Sequence, residues 1–427
     1  MRTHEANGET RLLFWLRIRE FAVPPPMIES ATARRAAGDW GGACAAARVD
    51  VDLNLRILAK TQGHELAGSV RADLRHLAPD LLRWHMPRIA PDGLLRPGLT
   101  VALARYGPSG TGGLHLVARM PPAWAGAGQR ISLALWDGGG AGEHPHPRPD
   151  RHFRFDLHRH LWDARRAGEL PERSGGPGRW AAEAAILRRA DGRVDDEAVV
   201  VRLGGRHRLL LERSGRTRPA RRGGAAPPVL PHAATWEPPD TELLRAGLID
   251  AGRLHPLVAR ALAPQRAARH RDEHNGGPGG DGGTRQVDCR GARHRIGLVG
   301  GALVALDHDP EQLRREELLA ALGGPPLPCL QAIDEVYRHP ECLDDVRARL
   351  DHGDADGALA AVEGLLGPGV PLRDGALRDA LETAVRRRLA HGMFRAGLDP
   401  RAPDTPARRD PRRRGDVRAH PRNATNA

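Results

Sequence analysis

LTVALARY (Leu99–Tyr106), LHLVARM (Leu114–Met120), ISLALW (Ile131–Trp136) and FRFDL (Phe153–Leu157) are four short runs in which large apolar residues recur at alternate positions. A period of two is the pattern of strands with one face turned to a core. Gly, Pro and Ser separate the runs, so residues 98–158 read as an antiparallel sheet with one buried face. Two further hairpins follow the same logic. Val199–Leu203 and Leu209–Leu211 flank Gly204-Gly205, and His294–Leu298 and Leu303–Leu306 flank Gly300-Gly301. Paired glycines supply the positive φ angles of a tight hairpin.

Outward from the sheet the pattern turns helical. Leu66, Val70, Leu74 and Leu77 fall on one helical face, and Asp80–Met86 reads as a short helix between Pro79 and Pro87. Met27 opens another helix after Pro24-Pro25-Pro26. Beyond the hairpins, Asp309-Pro310-Glu311 reads as a helix cap and first turn, stopped by Gly323-Gly324, with more helices from Pro328 to Leu398. The fold class expected is α+β. The expected layout is an N-terminal extension (1–26), a helical segment (27–97), a β-rich α+β domain (98–263) and a Gly-rich linker (264–286). A hairpin-plus-helical domain (287–398) and an Arg/Pro-rich disordered tail (399–427) complete it. Met27 is an alternative start site.

One string occurs twice. Gly38-Asp39-x-x-Gly42-Ala43 returns as Gly353-Asp354-x-x-Gly357-Ala358, each after an Arg-bearing helix. Gly would end one helix in the left-handed region and Asp would cap the next. This resembles the paired-helix unit of tetratricopeptide-type repeats. With 315 residues between the copies and no third copy there, the two read as separate helical hairpins.

The 427 residues carry 65 Lys+Arg against 53 Asp+Glu, a formal charge of +12, and Lys60 is the single lysine. Residues 206–222 hold a net +6 and 401–422 a net +5, so most of the excess sits in two Arg-rich stretches that read as solvated loops or tails. They could reach phosphates, but the tail has no aromatic residue for base stacking. No apolar run approaches the ~18 residues of a membrane span. Without a secretory h-region and cleavage site, and with four irregularly spaced cysteines, a reducing cytoplasm is the expected setting.

Several motifs touch on chemistry. His270, Glu273 and His274 match H-x-x-E-H, a zinc-peptidase order, within a charged, Gly-flanked segment that lacks an apolar face. His144, His146, His152, His158 and His160 crowd one region, and on a strand His158 and His160 would share a face. They read as solvated loop and sheet-surface residues with a metal site as the alternative. Cys329, His339, Cys342 and His352 can be written as a zinc set, but the spacing is not that of a finger, and buried thiols are the simpler reading. Asp307, His308 and Asp309 cluster, with Asp309 assigned to the cap, and Asp50 with Asp52 could hold a cation. Arg83-Trp84-His85 reads as a partly buried Trp at a helix end. No P-loop and no G-x-S-x-G elbow occurs.

Ala37–Leu53, Arg75–Arg88 and Leu306–Gly324 resemble segments of uncharacterised proteins from GC-rich bacterial genomes, over most of residues 27–398. That resemblance implies no activity, cofactor or site residue. The expectation is a cytoplasmic, non-enzymatic protein-binding or scaffold protein with an unidentified protein partner and no catalytic residue, cofactor or membrane. The alternatives are nucleic-acid association through segments 206–222 and 401–422, and a metal-dependent enzyme built on histidines.

Overall fold

The computed structural model describes residues 2–107, 113–139, 144, 146–173, 176–193, 198–203, 207–220, 227–264, 285–299, 302–338, 343–366 and 374–398. The fold is α+β, with small sheets in the middle of the chain and helices at its C-terminal end. It divides into two compact units, Met1–His274 with His391–Ala427, and Asn275–Ala390. The boundary falls inside the expected Gly-rich linker, whose residues 265–284 lie outside the described residues, as does the tail from 399.

In the first unit the principal sheet has four strands: β1 (Val49–Asp52), then, after the two-stranded hairpin β2 (Arg88–Ile89) and β3 (Leu94–Leu95), β4 (Thr100–Tyr106), β5 (Leu114–Arg119) and β6 (Ile131–Trp136). Their order is β1-β6-β5-β4, antiparallel except for β1, which runs parallel to β6. Three of the four alternating runs are therefore strands. The fourth, Phe153–Leu157, makes a single bridge, Ala102 to Arg154. The β4–β5 ladder shifts register between Ala102 and Ala104, and pairing resumes at Ala104 opposite Leu116.

Val101, Leu103, Leu116, Ala118, Ile131 and Leu133 are buried from the sheet, against Val70, Leu74, Leu77, Leu81 and Leu82 from the helices His64–His76 and Pro79–His85 and the link between them. Each fully buried Leu or Ile contributes about 1.5–3 kcal/mol relative to exposure. Residues 27–97 and 98–263 thus share one core and are not separate segments. Nor is the N-terminus a detached extension: Phe14, Trp15, Ile18, Ala22 and Val23 belong to that same core. A satellite sheet, β7 (Val199–Leu203), β8 (His207–Leu211) and β9 (Thr217–Pro219), packs Val199, Val201 and Leu211 on Trp180, Ala184 and Leu187 of the helix Gly176–Ala190. The Arg-rich stretch 206–222, read as a loop, contributes β8 and β9 within its described residues.

The second unit opens with β10 (Arg285–Cys289), β11 (Ala292–Val299) and β12 (Ala302–Ala305), an antiparallel meander. Helices Pro310–Ala321, Pro328–Arg338, Leu343–Asp351, Ala355–Leu366 and the start of Ala376–Arg395 follow. Asp309 stands at the cap position of its helix, but its side chain makes no capping bond.

The repeated string gives the same local geometry twice. Gly38 and Gly353 take φ of 79° and 81°. The Asp39 carboxylate accepts from Gly42 N at 2.8 Å and from Arg34 at 3.1 Å, and Asp354 accepts from Gly357 N at 3.4 Å and from Arg349 at 3.3 Å. A Cβ on Gly42 or Gly357 would stand 2.0 or 2.1 Å from the capping carboxylate, which explains glycine there. Asp39→Ala is expected to lower the unfolding midpoint of the first unit, because the Gly42 N–H at the helix start loses its acceptor. Urea unfolding of this variant beside Asp39→Asn, which keeps the acceptor, checks it; equal midpoints would reject the cap.

Candidate metal centre

Cys289 closes β10 and Ala292 opens β11, leaving Arg290 and Gly291 as a two-residue turn with φ of 53° and 85°. Two positive φ values match the twist of a tight hairpin. The register sets Cys289 opposite Ala292, Val287 opposite His294 and Arg285 opposite Ile296. Alternation therefore brings Cys289, His294 and Ile296 to one face and sends Arg293 and Arg295 to the other. Ile296 and its β12 partner Ala305 are buried on the inner face, whereas the Arg293 and Arg295 side chains are more than half exposed.

His308 comes from the turn after β12. Leu306 N donates to Arg295 O at 2.8 Å, and the Asp307 carboxylate accepts from Arg295 N at 2.7 Å and from its guanidinium at 2.8 Å. These bonds fasten the turn beside His294. The Arg295 guanidinium, with the Arg295 backbone N–H, holds the Asp307 carboxyl down to about 2. Cys329 is the second residue of the helix Pro328–Arg338, where Pro328 can occupy the first turn without losing a helical hydrogen bond. Leu327, Cys329 and Ile333 bury against Cys289, Ile296 and Ala305.

The outcome is four donor atoms, from Cys289, His294, His308 and Cys329, all within 4.8 Å of one another. His294 Nδ1 and His308 Nε2 are 2.6 Å apart, with the rings edge-to-face at 4.2 Å. A tetrahedral zinc, with bonds of about 2.0 Å to nitrogen and 2.3 Å to sulfur, holds its ligand atoms roughly 3.3–3.8 Å apart. The observed spacing brackets those values. Burial first, and then the adjacent Cys289 sulfur, raise the Cys329 thiol to about 11. A dication between the sulfurs would reverse that, because metal binding takes the thiolate. Two thiols and two imidazoles form a borderline-soft set that suits Zn²⁺ and offers no carboxylate for Ca²⁺ or Mg²⁺.

Of the residues that the sequence offers as metal ligands, Cys329 belongs to this group, while His270, Glu273, His274, His158 and His160 do not. His270, Glu273 and His274 lie outside the described residues. His158 and His160 lie in the first unit, in and beside a single 3₁₀ turn instead of a strand, and both are buried. His158 Nδ1 donates to Arg154 O at 3.0 Å, and its Nε2 faces Glu183 at 3.1 Å. Burial opposes ionisation of Glu183, but His158 and Arg173 outweigh it and hold the carboxyl down to about 2. Burial drives His160 down to about 2, so it stays neutral. His144 is also buried, against Met120 O at 2.7 Å, so three of the five clustered histidines are not solvated. The Cys329 set breaks up: His339 and Cys342 lie outside the described residues, and the fully buried His352 is not in the four-ligand group. Asp50 pairs with Arg130 and Asp52 with Arg395.

Arg83-Trp84-His85 stands at the end of the helix Pro79–His85, as read, but is wholly and not partly buried. Trp84 Nε1 donates to Asp240 at 2.7 Å, Arg19 donates to the other Asp240 oxygen at 2.6 Å, and the Arg19 guanidinium lies 3.8 Å over the Trp84 ring. Beside them His255 Nε2 donates to Asp80 at 2.8 Å and its Nδ1 accepts from Leu257 N, which fixes a neutral tautomer. Both His255 nitrogens are engaged, so this dyad has no free base to offer.

In the sequence, Cys329 and His308 read as members of other groupings, and Cys289 did not pair with His294. The ligands come from a hairpin, a turn and a helix, at spacings of 5, 14 and 21 residues. The signal that could have found them is Cys289-Arg-Gly-Ala-Arg-His294, whose Arg-Gly turn puts both ligands on one face. No family model matches the chain, and neither a curated protein nor a solved structure matches it.

Proposed function

We propose that this is a zinc-binding protein in which the metal is architectural, tying the β10–β11 hairpin and the turn after β12 to the helix Pro328–Arg338. The observation that carries this is the Cys289–His294–His308–Cys329 group. Four protein ligands fill a tetrahedral zinc and leave no position for water or substrate, which favours a non-enzymatic protein over a metal hydrolase at this site. The local arginines do not favour phosphate binding there: Arg290 pairs with Glu316, Arg293 with Asp288 and Arg295 with Asp307.

The test is metal analysis of the full chain after removal of any histidine tag. One zinc per chain is expected to survive dialysis, and cobalt in its place should give the visible bands of a tetrahedral thiolate complex. In Cys289→Ser both should be lost. A chain that retains no zinc and gives no such cobalt spectrum would overturn the reading.

A further inference from the structure

We propose that the same centre is a thiol switch: a peroxide converts Cys289 and Cys329 to a disulfide and discharges the zinc. The proposal rests on the zinc reading above. The two sulfurs are the oxidisable ligands, and they lie within 4.8 Å of each other. They sit forty residues apart in sequence, on a hairpin turn and on a helix that pack in one core. A disulfide needs the two sulfurs ~2.05 Å apart, so they must close the gap between them within the core that both already share.

Access is one-sided. Cys289 and Cys329 are fully buried, whereas His294 and His308 are partly exposed, so a water-sized oxidant and the departing metal share the histidine side. The chemistry balances with hydrogen peroxide. One thiolate attacks a peroxide oxygen, the O–O bond breaks, and a sulfenic acid and hydroxide form. The second thiolate attacks the sulfenic sulfur and displaces a second hydroxide, and two protons turn both hydroxides into water. Two electrons pass from sulfur to oxygen. Zinc loses two of its four ligands, and two neutral imidazoles remain.

The experiment treats the zinc-loaded full chain with hydrogen peroxide, reads released zinc with a chromophoric chelator, and maps the cysteines by mass spectrometry. One equivalent of zinc is expected, with loss of two of the four thiols and a Cys289–Cys329 crosslinked peptide two hydrogens lighter. Dithiothreitol with zinc should restore the centre, and a Cys44→Ser/Cys342→Ser chain should respond in the same way. Zinc held through oxidation, zinc released with only sulfinic acid, or a crosslink to Cys342 would each overturn the switch while leaving the zinc reading intact. A chain that binds neither zinc nor cobalt would remove both.

Discussion

Cys329→Ser is expected to lose its zinc and to unfold the unit spanning Asn275–Ala390 while the other unit stays folded. Twelve buried residues make up the hydrophobic cluster of this unit among those described, and two of the twelve are Cys289 and Cys329 themselves. The helix Pro310–Ala321 adds no buried residue, and Leu318, Leu319 and the adjoining Leu322 are 53–85% exposed. A core of that size leans on a staple. Structural zinc in small domains binds with roughly 10–16 kcal/mol, comparable with the whole ~5–15 kcal/mol stability of a domain. Serine is close to cysteine in size but a poor zinc ligand, so the change isolates the metal from packing. A chelator applied to the unchanged chain should have the same effect. Circular dichroism with limited proteolysis reads it: a lost low-temperature transition and cleavage confined to the second unit are expected. Unchanged melting in both the variant and the chelated chain would contradict it.

What could be read from the sequence divides along a physical line. Local features were legible. The alternating runs that became β4, β5 and β6, the pairing of the strands that flank Gly204-Gly205 and Gly300-Gly301 (glycines that lie outside the described residues) and the duplicated Gly-Asp cap are set by residues within a few positions of each other. Long-range pairing was not. Strand β1 has four residues, two of them Asp, and becomes a strand because β6 lies beside it. Strand β10 was half hidden in the Gly-rich segment, and without it Cys289 and His294 had no common face. Buried polar pairs were not legible for the same reason: Arg19 and Trp84 meet Asp240, His158 meets Glu183 and Asp80 meets His255, partners that only folding brings near.

Asp240→Asn should be the costliest single change in the first unit that leaves side-chain volume nearly untouched. The Arg19 and Asp240 side chains are 3% and 0% exposed, and Arg19 Nε and Nη1 have no hydrogen-bond partner among the described residues, so the Asp240 carboxylate is the one group there bonded to that guanidinium. Burial lowers the Arg19 pKa, and Asp240 opposes the fall. Removing one member of such a pair costs about 3–5 kcal/mol, mostly for the charge left behind. Asparagine still accepts from Trp84 Nε1, so the loss belongs to the ion pair and not to the indole bond. Asp80 also acts on Arg19 and should keep the cost toward the lower end. Arg19→Met with Asp240→Asn removes the stranded cation, and this double variant should be more stable than Asp240→Asn alone despite carrying one more substitution. Urea unfolding of the four chains as a double-mutant cycle measures the coupling. Additive losses, or a loss below about 1 kcal/mol for Asp240→Asn, would mean that the pair does not hold Trp84 and the N-terminal helix in the core.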